Sequence, residues 1–500
     1  MKRMKKYASL LLALVMALAL AVPAMAADDT YTITIKTDKT GHTYEAYQIF
    51  SGVLSEDGKT LSDIEWGTGV DDAIKTLFPD AAAKAASLNN DNVADFAELV
   101  AGHLTTVAGT SVAKADGTGY EIIDLAPGYY LVKDLDGSLE GSDTEVYTPY
   151  ILHIVTDVTV TPKAEGTPTV DKTVDDVNDT TGEEGTGKTA DHDIGDHVPF
   201  TLTATLPNMD KYETYKLNFV DTMSAGLTYD GNAKVYLGET EITDYFTVTP
   251  DEAGGQTLTL SCADVKKIPG VTEGSVITVK YTAQLNDDAV IGGTGNTNEV
   301  YLEFSNDPNH SGEGDEPEGK TPPKKVVVFT FKTVVNKVDP DGNPLDGAGF
   351  TLFKLVDGEW DQIGEEITDV TTFSFEGLDD GRYMLKETTV PDGYNSIDPI
   401  YFTIEAVHVL NDDGETGEIK ELKVYATDEE GKKLTEEEKS IFEVDVPGGS
   451  AETDVENNRG VELPETGGIG TTIFYVLGGL LTLGAVVLLV TKKRMSLEEK

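Results

Sequence analysis

Hydrophobic and polar positions alternate through most of this chain. Tyr31, Ile33 and Ile35 are separated by threonines, and Tyr44, Ala46, Tyr47, Ile49 and Phe50 follow after Gly41. A period of two is that of a strand with one buried face, so two strands around a turn at Gly41 are expected. Val93, Phe96, Ala97, Val100 and Leu104 recur instead at helical spacing, which predicts a short helix inserted into a β-rich segment. Alternation resumes from Tyr120 to about Val160. It returns at Phe200, Leu202 and Ala204, in 216–220 and 276–281, and at Val300, Leu302 and Phe304. The small, Pro-containing stretch 164–168 and the Gly/Glu/Pro-rich stretch 306–320 interrupt it and read as boundaries. The pattern thus predicts an all-β chain of three β-sandwich domains, at 27–165, 166–320 and 321–460, with a helical insertion in the first.

Both ends break the pattern. Residues 1–6 are basic, 10–22 are apolar, and Ala24-Met25-Ala26 supplies small residues at the cleavage spacing, so 1–26 reads as a secretory signal peptide. At the other end Leu463-Pro464-Glu465-Thr466-Gly467 precedes an uncharged run of 22 residues, 469–490, and then Lys492-Lys493-Arg494. That run is long enough to cross a bilayer as a helix, with its cationic end on the cytoplasmic side.

Charge and composition narrow the function. With 89 acidic against 38 basic residues the net charge is −51, which excludes nucleic acid and anionic membrane surfaces as partners. Cys262 is the only cysteine, so a secreted chain is left without a disulfide. Its His, Cys and Asp residues have no metal-ligand spacing, there is no phosphate loop or G-x-S-x-G elbow, and no cofactor is expected. No nucleophile, base and orienting group recur at a recognisable spacing, which disfavours an enzyme.

The order pentapeptide, apolar span, basic tail in 461–500 resembles the cell-wall sorting signal of Gram-positive surface proteins. In that family a sortase cleaves the LPxTG box between Thr and Gly, which would make Thr466 an acyl donor. The stretches 41–52 (GHTYEAYQIFSG) and 125–133 (LAPGYYLVK) look like the N-terminal domain of sortase-assembled pilus backbone subunits. Val160-Thr161-Pro162-Lys163 resembles the pilin motif VYPK, with Thr161 for Tyr and Ala164 for the frequent following Asn. By that resemblance Lys163 attacks the sortase-bound threonine of the next subunit; Lys133 and Lys172 are competing acceptors. Residues 335–352 and 383–394 are similar to the collagen-adhesin B-type domain, the second block being its E-box, YxLxETxAPxGY, with Val390 for Ala.

The resemblance implies a major pilus backbone subunit of three tandem immunoglobulin-like β-sandwich domains, secreted to the cell wall surface. Its expected partners are a pilus-specific sortase, a housekeeping sortase, identical subunits joined head to tail, minor pilins and peptidoglycan. What could staple such disulfide-free domains is a Lys, an Asn and an acid in an apolar core. Burial favours the neutral amine and the protonated acid, and the amine can then attack the Asn side chain with loss of ammonia. The resemblance puts these roles on Lys337, Asn457 and Glu387 in the third domain, with Asn458 as rival to Asn457. In the second it puts them on Lys172, Asp221 and Asn298, with Asn296 in phase but nearer a Gly turn. Lys36 and Lys133 of the first domain have no nameable partners, and no bond is expected there. The alternative is a monomeric wall-anchored adhesin for a host matrix protein or glycan, which would not need Lys163; a minor tip or base pilin is a further one.

Overall fold

The computed structural model describes residues 30–495 apart from 56–59, 90–91, 140–144, 149, 155–156, 162–165, 251, 310–317, 413, 415, 435–441 and 461–468. The expected signal peptide, Lys163 and the Leu463–Gly467 pentapeptide therefore lie outside the described residues.

In the first domain the strands flanking Gly41 do not pair with each other. Tyr31–Lys36 pairs with Gly119–Leu125 and, in parallel, with Val158–Val160. Tyr44–Leu54 belongs to a second sheet, between Leu61–Trp66 and Gly128–Asp134. Gly41, at φ +85°, makes the turn in a segment that carries the chain from one sheet to the other. Ile33, Ile35, Tyr44 and Ala46 close one core between the sheets. Ile49 and Phe50 join a second core roofed by helices. Among the described residues there are three short helices here, where a single one is expected: Asp72–Leu77, Ala81–Ser87 and Val93–Ala101. The first two are started by Asp71 and Asp80, whose carboxylates accept from Ala73, Ile74 and Ala83 backbone N–H groups. At six and seven residues they are too short to display a helical period.

The middle domain is a sandwich of two sheets. Thr169–Asn178, His197–Thr205 and Val276–Leu285 are consecutive neighbours in one, and Asn296–Ser305, Leu217–Met223 and Thr257–Cys262 in the other. Alternating residues such as Phe200, Leu202, Phe219, Leu260, Val279, Val300, Leu302 and Phe304 fill the space between. Each such side chain contributes about 1.5–3 kcal/mol by leaving water. Cys262 is a buried member of this core with a free thiol.

The strand Lys324–Phe329 lies beyond the expected boundary at 320, yet it pairs with Asn296–Ser305 and so extends the middle sheet. Its two faces serve two domains. Val326 and Val328 belong to the middle core, whereas Val327 and Phe329 belong to the third. Strand alternation makes this sharing automatic once both faces are covered. The third domain continues with a sheet in which Phe331–Val338 lies between Thr372–Leu378 and, in parallel, Ser450–Glu456. A five-stranded sheet containing Gly349–Val356, Gly381–Thr389 and Ile400–Leu410 packs against it. Beyond the third domain a helix, Ile469–Met495, contains one stretch, Phe474–Lys493, long and apolar enough to cross a membrane.

The joint between the middle and third domains is polar and largely buried. Lys354 is fully buried and ion-paired to Asp179 (2.7 Å) and Asp193 (2.6 Å) of the middle domain and to Asp379 (2.5 Å) of its own. Burial alone would lower its pKa, but Asp379 and Asp193 outweigh that and hold the ammonium charged well above the ordinary lysine range. Beside it, His408 hydrogen-bonds Asp191, and Asn178 donates to Asp380. At the far side Gly292 and Gly449 meet backbone to backbone with φ +58° and +61°, and a Cβ on Gly292 would strike Gly448.

Burial, and after it the neighbouring Asp191, raises Asp176 to about 6 and Asp380 to about 7. His408 is also raised: its bond to Asp191 and the nearby carboxylates outweigh burial. All three hold more protons folded than unfolded between the ordinary carboxylate range and neutrality, so their contribution falls as pH rises through these values. The thermal unfolding midpoint of the middle and third domains is expected to rise by several degrees from pH about 8 to about 5.5. A midpoint that falls over that interval would contradict this electrostatic reading of the joint.

Candidate cross-linking sites

In the third domain Lys337 lies on Phe331–Val338, whose residues are buried at every second position, so the rule that buries Phe331, Thr333 and Val335 also buries Lys337. The parallel neighbour Ser450–Glu456 alternates likewise and its phase continues one residue further, leaving Asn457 fully buried and Asn458 exposed. This decides between the two adjacent asparagines. Lys337 Nζ donates to the Val455 carbonyl at 2.6 Å, and the Asn457 backbone N–H donates to the Val338 carbonyl at 3.2 Å, so the two side chains arise from adjoining register positions. Glu387, from the opposing sheet, accepts from Asn457 Nδ2 at 2.8 Å and from the Ile397 N–H at 3.2 Å. Burial lowers the pKa of Lys337, with Glu387 pulling the other way. Asn457 Oδ1 is buried without a partner.

The middle-domain set spans the sandwich. Lys172 is on Thr169–Asn178 in one sheet; Asp221 and Asn298 are on the adjacent strands Leu217–Met223 and Asn296–Ser305 of the other. All three are fully buried. Lys172 is in direct contact with Asp221. Burial brings Lys172 down to about 8 against the attraction of Asp221, and pushes Asp221 up against the attraction of Lys172. The pair therefore approaches the neutral amine and neutral acid that acyl chemistry needs. The Lys172 ammonium lies 5.4 Å from the Phe200 ring centre, and that ring stacks on Tyr281.

Tyr281, on Val276–Leu285, sits inside this set. Its hydroxyl donates to Asp221 at 2.7 Å, accepts from Asn298 Nδ2 at 2.7 Å and lies 3.3 Å from Lys172 Nζ. Sequence reasoning recognised its strand and gave it no role. The available signal was its inward phase, alternating with Val279 and Ala283 on one face.

Asn296 is equally buried but otherwise engaged. Its Oδ1 accepts from the Val290 N–H at 2.8 Å, and its Nδ2 donates to the Val290 and Val328 carbonyls at 3.1 and 3.2 Å. It is a loop clasp. Among the rival lysines, Lys172 is inaccessible to any outside enzyme, and Lys133 is mostly covered and ion-paired to Asp136 at 2.5 Å.

Comparison with known proteins bears on the same segments. Residues 194–308 match a model described as Gram-positive pilin backbone subunit 2, Cna-B-like domain. Residues 331–416 match a prealbumin-like fold domain, and 455–496 the LPXTG cell wall anchor motif. The chain is 24% identical to the trypsin-resistant surface T6 protein of Streptococcus pyogenes serotype M6, over 95% of this chain and 96% of that protein. Its fold is similar to the T6 backbone pilin of serotype M6 S. pyogenes, with a TM-score of 0.56 and 17% identity, covering 88% of this chain and 100% of the other. It is also similar to the full-length major pilin SpaD of Corynebacterium diphtheriae, with a TM-score of 0.50 and 18% identity, covering 87% and 99%.

Asn296→Ala removes the three hydrogen bonds of a buried side chain and is expected to cost the middle domain about 1–3 kcal/mol in chemical denaturation. The exposed Asn458→Ala is expected to shift stability by under about 0.5 kcal/mol.

With a Gram-positive pilin-backbone match at 194–308, a prealbumin-like match at 331–416 and an LPXTG anchor match at 455–496, the chain is similar along its length to cell-wall-anchored backbone pilins of Gram-positive bacteria.

Proposed function

We propose that the chain is the covalently polymerised backbone subunit of a surface pilus, internally stapled by Lys172–Asn298 and Lys337–Asn457 isopeptide bonds. The observation that carries the reading is the repetition of one chemical set in two successive domains: a buried lysine, a buried acid and a buried asparagine in an apolar core. Asp221 and Glu387 act as the acids. Each shares its proton with the Asn side chain, polarising its carbonyl for attack by the lysine amine and then protonating the departing ammonia. Each bond forms once, and no turnover follows.

The strands chosen support a load-bearing role. Lys172 is on the first strand of the middle domain and Asn298 on a strand near its end; Lys337 is on the first strand of its sheet and Asn457 directly follows the last. Tension entering near residue 163 and leaving near 466 would cross each domain through its bond, sheltering 173–297 and 338–456 from extension. Lys163 serves as acceptor and Thr466 as donor for a pilus-specific sortase, giving a head-to-tail contact that does not close and so makes a filament. Minor pilins join the same polymer, and a housekeeping sortase transfers its base to peptidoglycan.

Intact mass tests the internal bonds. The wild-type ectodomain is expected to be lighter than its sequence by two ammonia molecules, and Asp221→Ala and Glu387→Ala by one each. An unmodified wild-type mass would refute both bonds. Denaturing immunoblots of wall extracts test polymerisation: a high-mass ladder with the cognate sortase is expected to collapse to monomer in Lys163→Ala. A ladder that survives would move the acceptor to another lysine, and a lone monomer band from wild type would favour a wall-anchored adhesin.

A further inference from the structure

We infer that Tyr281 is a catalytic residue of the middle-domain cross-linking reaction, carrying protons between Asp221 and Asn298. The inference rests on the reading that Lys172 and Asn298 become covalently joined. The two candidate sites differ in how the acid reaches the amide. In the third domain the acid is a glutamate, and its carboxylate meets the Asn457 amide directly at 2.8 Å. In the middle domain the acid is an aspartate, one methylene shorter, and the connection runs through a phenol. Asp221 Oδ1 accepts from Tyr281, and the same hydroxyl accepts from Asn298 Nδ2, both at 2.7 Å.

This chain of hydrogen bonds can run the reaction with atoms balanced. A proton passes from the Lys172 ammonium to the touching Asp221 carboxylate, leaving a neutral amine and a neutral acid. Rotation of the Asn298 amide brings Oδ1, buried without a partner, to face the phenol. As Nζ attacks Cγ, Tyr281 donates to Oδ1 and takes the proton of Asp221. Asp221 then accepts a proton from the new ammonium centre. Passed back through Tyr281, it protonates Nδ2, the Cγ–Nδ2 bond breaks and ammonia leaves. The hydroxyl proton on Oδ1 returns along the same path as the carbonyl re-forms. The phenol ends as it began, Asp221 ends holding the proton that came from Lys172, and no other reactant is consumed.

The site keeps the phenol neutral and in place. Burial, and after it the charge of Asp221, raises its pKa well above the ordinary tyrosine value, so it serves as a relay and does not ionise. Its ring is clamped between Phe200, at 5.4 Å, and the edge of Tyr229, at 5.8 Å.

The test is peptide mass mapping of the full chain, sampled from the earliest times after a pulse of expression, in wild type, Tyr281→Phe and Asn298→Ala. The Lys337–Asn457 bond serves as an internal control for folding. Tyr281→Phe is expected to slow the Lys172–Asn298 bond by ~10²-fold or more, the usual share of a general acid–base group. While unlinked, it should unfold at the same temperature as Asn298→Ala. Adding Asp221→Glu to Tyr281→Phe is expected to restore bond formation, because the longer acid reaches the amide as Glu387 does. A Tyr281→Phe chain that cross-links at the wild-type rate overturns the relay, as does a double variant that stays unlinked with its fold intact. A wild-type chain without the Lys172–Asn298 bond overturns the underlying reading as well.

Discussion

The cost of taking a lysine out of water governs this structure. Lys172, Lys337 and Lys354 are all fully buried, and an ammonium in such surroundings must find a counter-charge or shed its proton. Lys354 has three carboxylates around it and stays charged. Lys172 has one, itself pushed up by burial, and comes down to about 8. The same side chain is thus an ionic clamp at a joint and, in a core, approaches the neutral amine that the proposed cross-link needs; the number of facing acids makes the difference.

That distinction fits the mechanics of a pilus. A disulfide-free sandwich resists pulling only through its hydrogen-bonded strand pairs and apolar contacts, which yield one after another. The proposed covalent links between early and late strands of a domain would remove the intervening chain from the line of force. Between domains the solution differs. The shared strand Lys324–Phe329, with alternate residues in two cores, and the Lys354 cluster couple the middle domain to the third without any covalent bond. Breaking a buried ion pair by removing one partner costs about 3–5 kcal/mol, so losing any one member of this cluster would be costly to the joint.

Much of this was legible in the chain. Alternation located the principal strands of the first two domains because one face of each is covered; in the third the resemblance pointed to Lys337 and Asn457, and the phase of their strands is what buries both. Other features were not legible, for physical reasons. Helices of six and seven residues carry too little periodicity to be seen. The strands around Gly41 look like a hairpin, but pairing is a non-local choice, and here they join different sheets. Lys324–Phe329 has apolar residues on both faces, so its pattern cannot say which domain owns it.

The sequence by itself determined the all-β class, the C-terminal anchor pattern, the absence of disulfides and the residue types able to cross-link, because these follow from local pattern and composition. The tertiary structure alone decided which groups meet. It assigned Asn296 to a loop and Asn298 to the core, although strand phase admits both. It brought Asp179, Asp193 and Asp379 to one buried lysine, and it set the Tyr281 hydroxyl between an acid and an amide on the opposing sheet. Such meetings depend on the distance between packed sheets and on the length of each side chain, and neither is written in the order of residues along one strand.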